Sequence, residues 1–108
     1  MLMESQQKAI TLLDAVTTTA TGEKQKPLVV NRTFQLIGNT SAGVGAASVK
    51  VQVSNDGTNW VDLATLSLTL GTTVTSDSTS SAAPWLYVRG KVDSISGTGA
   101  NVSLFMGV

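Results

Sequence analysis

The chain contains no histidine and no cysteine, and these two absences remove more chemistry than any motif adds. Without an imidazole there is no Ser-His-Asp arrangement, no HExxH zinc site, and no side chain that titrates near neutrality without a large environmental shift. Without a thiol there is no cysteine nucleophile, thiolate zinc site, iron-sulfur cluster or disulfide. Stability must therefore come from packing and backbone hydrogen bonds, and the composition suits assembly in a reducing cytoplasm. Charge is scarce as well. Seven basic and seven acidic residues cancel to a net charge of zero, and their scatter leaves no basic patch for nucleic acid. Long apolar runs are also missing. The opening MLMESQQKAITLLDAV has an acid at Glu4 and no extended apolar core, so it resembles neither a signal peptide nor a membrane span.

What is present points to strands. The 108 residues suit one domain, which at this size buries about 65% of its unfolded surface. After residue 25 helix formers give way to Thr, Ser, Val and Gly, a composition of strands and tight turns. Val49, Val51 and Val53 alternate with Ser48, Lys50 and Gln52, giving one apolar and one wet face. Leu66, Leu68 and Leu70 repeat the pattern, as do Leu86 with Val88 and Val102 with Leu104 and Met106. Further strands are expected at Ile10 to Leu13, Leu28 to Val30, Thr33 to Gly38 and Trp60 to Ala64, at the short spacing of a sandwich or barrel. Residues 9–16 carry two patterns. Ala9, Leu12, Leu13 and Val16 satisfy a helical stripe, whereas the β-branched run Thr17-Thr18-Thr19 favours a short strand preceded by a mobile arm over residues 1–8. The resulting expectation is an all-β, jelly-roll-like sandwich over residues 9–108.

Asn55-Asp56-Gly57-Thr58-Asn59 sits between an alternating strand and NWVDL. An Asp-Gly pair there is a hairpin signal, because Gly takes the left-handed conformation and Asp bonds its own backbone. A calcium loop needs further oxygen ligands at fixed spacing, and no distant glutamate follows Asn59 or Asp62. Trp60, next to the turn, is expected to cap the end of the sandwich. SNDGTNW also resembles the Ser-x-Asp-Gly-x-x-Trp hairpin of some carbohydrate-binding β-sandwich modules of the discoidin type, which makes Asn55, Asp56, Asn59 and Trp60 a candidate ligand loop. In APWLYVRGKV, inward Leu86, Val88 and Val92 would leave Trp85, Tyr87, Arg89 and Lys91 on the outer face. Aromatic residues beside Arg have the composition of an interface hot spot. The competing reading tucks Trp85 over the sandwich edge.

Catalysis finds no support in this pattern. Asp56, Asp62, Asp77 and Asp93 fall in or near expected turns, where solvent keeps carboxyl groups ordinary, and a glycosidase needs two of them flanking a cleft. The Ser/Thr tract from Thr72 to Ser81 reads as a flexible loop with no base to activate a hydroxyl. GVGAASV at Gly43 to Val49 and GTGANV at Gly97 to Val102 each place a Gly-x-Gly-Ala bend before an apolar strand. Neither has the third glycine or following helix of a dinucleotide loop. No enzyme activity, cofactor or metal is expected.

The succession ITLLDAV, SNDGTNWVDL, APWLYVR and SISGTGANVSLFMGV resembles the small β-sandwich structural proteins of tailed bacteriophages, especially the decoration or cement type that coats the capsid. The resemblance covers Ile10 to Val108 and rests on short segments. It implies a virion protein made in the host cytoplasm, with the major capsid protein as partner and a homo-oligomeric state, dimer or trimer. It also implies no direct nucleic-acid or membrane contact. A carbohydrate-binding module or a tail- or fibre-associated protein is the alternative.

Overall fold

The computed structural model describes residues 9–27 and 31–107, and every paired segment among them is an extended strand. The expected arm over residues 1–8 and the strand at Leu28 to Val30 lie outside the described residues. The strands are β1 (Ala9–Val16), β2 (Ala20–Thr21), β3 (Arg32–Asn39), β4 (Ala42–Ser54), β5 (Val61–Leu70), β6 (Thr75–Ser81), β7 (Tyr87–Thr98) and β8 (Asn101–Gly107). They form two four-stranded sheets, ordered β1-β8-β3-β6 and β2-β7-β4-β5, with every pairing antiparallel. Strand β1 pairs with β8, β2 with β7, β3 with β6 and β4 with β5. Those four pairings describe one long two-stranded ribbon rolled up on itself, which is a jelly-roll sandwich.

Burial follows the alternation. Val49, Val51, Val53, Leu66, Leu68, Leu70, Val88 and Val92 of one sheet face Leu12, Leu13, Phe34, Leu36, Val102, Leu104 and Met106 of the other. Each such side chain contributes about 1.5–3 kcal/mol relative to exposure. Gly90 makes the closest approach possible. A Cβ there would lie 2.8 Å from Leu104 Cδ2 and 2.9 Å from Leu13 Cγ, so the opposing leucines fill the space that a side chain on β7 would need.

Bulges account for three places where the alternation breaks. Between Thr11 and Leu13 the register gains a residue against β8, so both Leu12 and Leu13 turn inward. Ala15 then adopts a φ of 48° at a second irregularity between Leu13 and Val16, with its N–H donating to Ser103 Oγ at 2.9 Å. Residues 9–16 are thus a doubly bulged strand, and the helical stripe is the imprint of two extra residues on a period of two. In β7 the partner of Ser48 is Ser94 while that of Val49 is Val92, which leaves Asp93 as the extra residue.

Two expectations about segments fail. The tract from Thr72 to Ser81 is not a flexible loop, because Thr75–Ser81 is β6, hydrogen-bonded along its length to β3. Its β-branched and small polar residues suit an edge strand that buries little. The first Gly-x-Gly-Ala segment is not a bend before a strand but lies inside β4, where only Gly43 has positive φ, at 71°. The second is a true turn, with Gly97 and Gly99 at φ of 119° and 63°.

The free edge of β5 is closed by side chains from β6. Ser67 N–H donates to Asp77 Oδ2 at 3.4 Å, and Thr75 Oγ1 donates to the Thr69 carbonyl at 3.3 Å. These contacts lace the two sheets along one side and occupy backbone groups that would otherwise invite another strand.

Candidate functional site

The Asn55 to Asn59 segment joins β4 to β5, and its polar groups bond mainly to one another. Asp56 Oδ1 accepts from the backbone N–H groups of Thr58 and Asn59, each at 2.8 Å, and from Ser54 Oγ at 2.8 Å. Asp56 Oδ2 accepts from Asn59 Nδ2 at 2.8 Å. Led by the Asn59 and Thr58 backbone donors, these bonds hold the Asp56 carboxyl well below its usual range. Ser54 Oγ in turn accepts from Gly57 N–H at 2.9 Å, and Gly57 has a φ of 75°. The carboxylate is spent in shaping the turn. Among the described residues no group of three acidic side chains is arranged to hold a metal ion.

This turn is docked to the rest of the same sandwich end. Asn55 Oδ1 accepts from Leu86 N–H at 3.0 Å, tying the β4–β5 turn to the segment before β7. Lys24 Nζ lies 5.1 Å from the centroid of the Tyr87 ring and 3.4 Å from the Gly57 carbonyl. Trp60 stacks under Arg89, whose guanidinium carbon is 4.1 Å from the ring centroid, a cation–π contact.

From Arg89 a continuous polar ladder crosses the outer face of the β2-β7-β4-β5 sheet. Arg89 Nε donates to Gln52 Oε1 at 2.9 Å, and Gln52 Nε2 donates to Asp62 Oδ1 at 2.9 Å. Lys50 Nζ then meets Asp62 Oδ2 at 3.6 Å and Asp93 Oδ2 at 2.7 Å, while Lys91 Nζ reaches Asp93 Oδ1 at 3.7 Å. Register sets Lys50 directly opposite Lys91, a like-charge pair that would destabilise the sheet. The bulged Asp93 resolves it by lying between both ammonium groups. The Asp93 hydrogen bond and charge raise the Lys50 pKa, and the Gln52 hydrogen bond lowers that of Asp62.

The four residues expected to form an interface are divided by this geometry. Tyr87, Arg89 and Lys91 alternate with buried Val88, Gly90 and Val92 and share the outer face. Trp85 instead packs against the core, and Leu86, expected inward, is 38% exposed. Strand β7 begins only at Tyr87, and Trp85 N–H bonds the Ala83 carbonyl in a tight turn, so strand alternation does not extend back to these two positions. Of the candidate ligand loop, Asn55, Asp56 and Asn59 build the turn and Trp60 meets Arg89. Lys24, Lys50, Gln52 and Asp93 carry the same surface: Lys24 belongs to no motif, Lys50 and Gln52 were expected only as the wet face of their strand, and Asp93, expected in or near a turn, lies within β7. Their signal lies in cross-strand pairing and a bulge, which one strand's pattern does not reveal.

The site thus belongs to a jelly-roll sandwich with a polar-laced face. No protein-family model matches the chain, and no curated protein matches its sequence. Solved structures do share its fold. The SPBc2 prophage-derived protein YomS superposes with a TM-score of 0.60 at 14% identity, over 99% of this chain and 96% of that one. The PBSX exported protein XepA superposes with a TM-score of 0.59 at 13% identity, over 94% of this chain but only 36% of that one. At such identities the likeness establishes the shared fold.

Proposed function

We propose that the chain is a non-enzymatic structural protein of a tailed bacteriophage, of the decoration type, which binds the outside of the head and stabilises it. The observation that carries this reading is the end-to-end likeness in fold to YomS, a prophage-derived protein; the exported protein XepA shares the fold over a third of its own length. The partner is the major capsid protein, and the working form is a homo-oligomer, dimer or trimer. Gripping several subunits at once would convert weak contacts into avidity.

Tyr87, Arg89 and Lys91 are the docking residues in this reading. Arg89 is held by Trp60 and Gln52, yet among the described residues it commits only its Nε to a hydrogen bond, which leaves its terminal amines for a partner. An anchor fixed before binding loses less conformational freedom on docking. The same stack weighs against the alternative of a sugar platform on Trp60, since Arg89 occupies one face of the indole.

The test is co-sedimentation with phage heads that lack the protein. Saturation at a fixed ratio to the major capsid protein supports the reading, with docking lost in Tyr87→Ala/Arg89→Glu while the melting temperature is retained. Folded protein that binds no such head overturns the decoration role and redirects attention to the tail or fibre.

A further inference from the structure

We propose a second binding site, for a neutral saccharide, on the outer face of the β1-β8-β3-β6 sheet. Its centre is a row that crosses all four strands: Thr11 pairs with Phe105, Phe105 with Gln35, and Gln35 with Ser78. The neighbouring row places Ile37 beside Ser103. Phe34, Leu36, Leu104 and Met106 alternate with these residues and fill the core, so the rows face outward.

Three observations select the ligand. First, the row through Phe105 carries no charge and the neighbouring row meets only Asp14, at its β1 end, whereas the opposite face carries Lys50, Asp62, Arg89, Lys91 and Asp93. A neutral polyol brings no counter-charge to offset the desolvation of an ion. Second, the Gln35 amide and the Thr11 hydroxyl are exposed and make no hydrogen bond to described residues, unlike the ladder across the other sheet. Their donors and acceptors are available beside the Phe105 ring, which can cover the C–H face of a sugar while they meet its hydroxyls. Third, size argues against a second copy of the chain. Four strands about 4.8 Å apart and seven residues rising about 3.3 Å each give a footprint of roughly 440 Å², well under the roughly 800 Å² per partner of a stable protein pair.

The site is independent of the head-docking reading, because it lies on the other sheet of the sandwich. It is tested by native affinity electrophoresis through gels containing dextran, galactomannan or hydroxyethylcellulose. The expected result is retardation by at least one polysaccharide, weakened about tenfold or more in Phe105→Ala and in Gln35→Ala, and unchanged in Thr65→Ala on the opposite sheet. Matching thermal melts would establish that the variants fold. Absence of retardation in all three gels overturns the proposal, as does retardation that survives both substitutions or disappears in Thr65→Ala. Concentration-dependent sedimentation abolished by Phe105→Ala, without retardation, would overturn it in favour of self-association.

Discussion

Gly90 and Leu104 offer the sharpest test of how the sheets meet. A methyl group at position 90 would lie 2.8 Å from Leu104 Cδ2, closer than two carbons tolerate, so Gly90→Ala overpacks the core at a cost of about 2 kcal/mol. Restriction of the unfolded chain returns about 0.5 kcal/mol, leaving a net loss near ~1.5 kcal/mol. Leu104→Val removes one methylene from a fully buried side chain and costs about 1 kcal/mol alone. If the two sites were independent, the double variant would lose about 2.5 kcal/mol. Moving one methylene from one sheet to the other conserves core volume, however, so the expected loss is only about 1.5 kcal/mol. Leu13 Cγ, 2.9 Å from the same point, keeps the relief partial. Urea unfolding of the four proteins measures this cycle, with unchanged m-values confirming a common unfolded state. In thermal melts Gly90→Ala should lower the midpoint by about 6–12 °C. Additivity within about 0.5 kcal/mol, or a neutral Gly90→Ala, would refute the packing argument.

Other substitutions test separate parts of the molecule. Val51→Asp places an unpaired carboxylate at a position with no solvent exposure and should abolish the cooperative transition in circular dichroism. Asp93→Asn removes the anion between Lys50 and Lys91. Its thermal stability should fall modestly at low salt, and the gap to the parent should narrow toward 1 M NaCl as repulsion is screened. Asp56 has a folded-state pKa depressed below its unfolded value. Its contribution is therefore full above about pH 4 and lost progressively at lower pH. Melts of Asp56→Ala should accordingly lie furthest from the parent at pH 7 and converge with it toward pH 2.

The parts of the fold that were readable from sequence are those where one strand's own pattern suffices. Val49, Val51 and Val53 announce β4, Leu66, Leu68 and Leu70 announce β5, and the Asp56-Gly57 pair announces the turn between them. Bulges defeat that logic, because a single extra residue shifts the phase of everything beyond it. Leu12-Leu13 therefore looks helical, and Asp93 does not reveal that it stands between two lysines. Strand β6 is invisible for another reason. Its neighbours supply the hydrophobic contacts, so Thr75 to Ser81 needs only the capacity to pair. At the site, Arg89 and Tyr87 were readable as outward residues of β7, whereas Trp85 lies before the strand begins and follows no alternation.

The nested pairing of the rolled ribbon has a consequence for how the chain reaches this structure. Strands β4 and β5 are separated only by residues 55–60, so their pairing closes the shortest loop in the ribbon and carries the smallest entropic penalty. Once they are joined, β3 and β6 need close only the gap left outside that hairpin. The same reduction then applies to β2 with β7 and to β1 with β8. Assembly can therefore zip outward from the Asp56 turn, sparing each later step the full sequence separation that slows most β topologies. Damage to that turn should appear as slower folding, whereas damage to the β1–β8 pair should appear as faster unfolding.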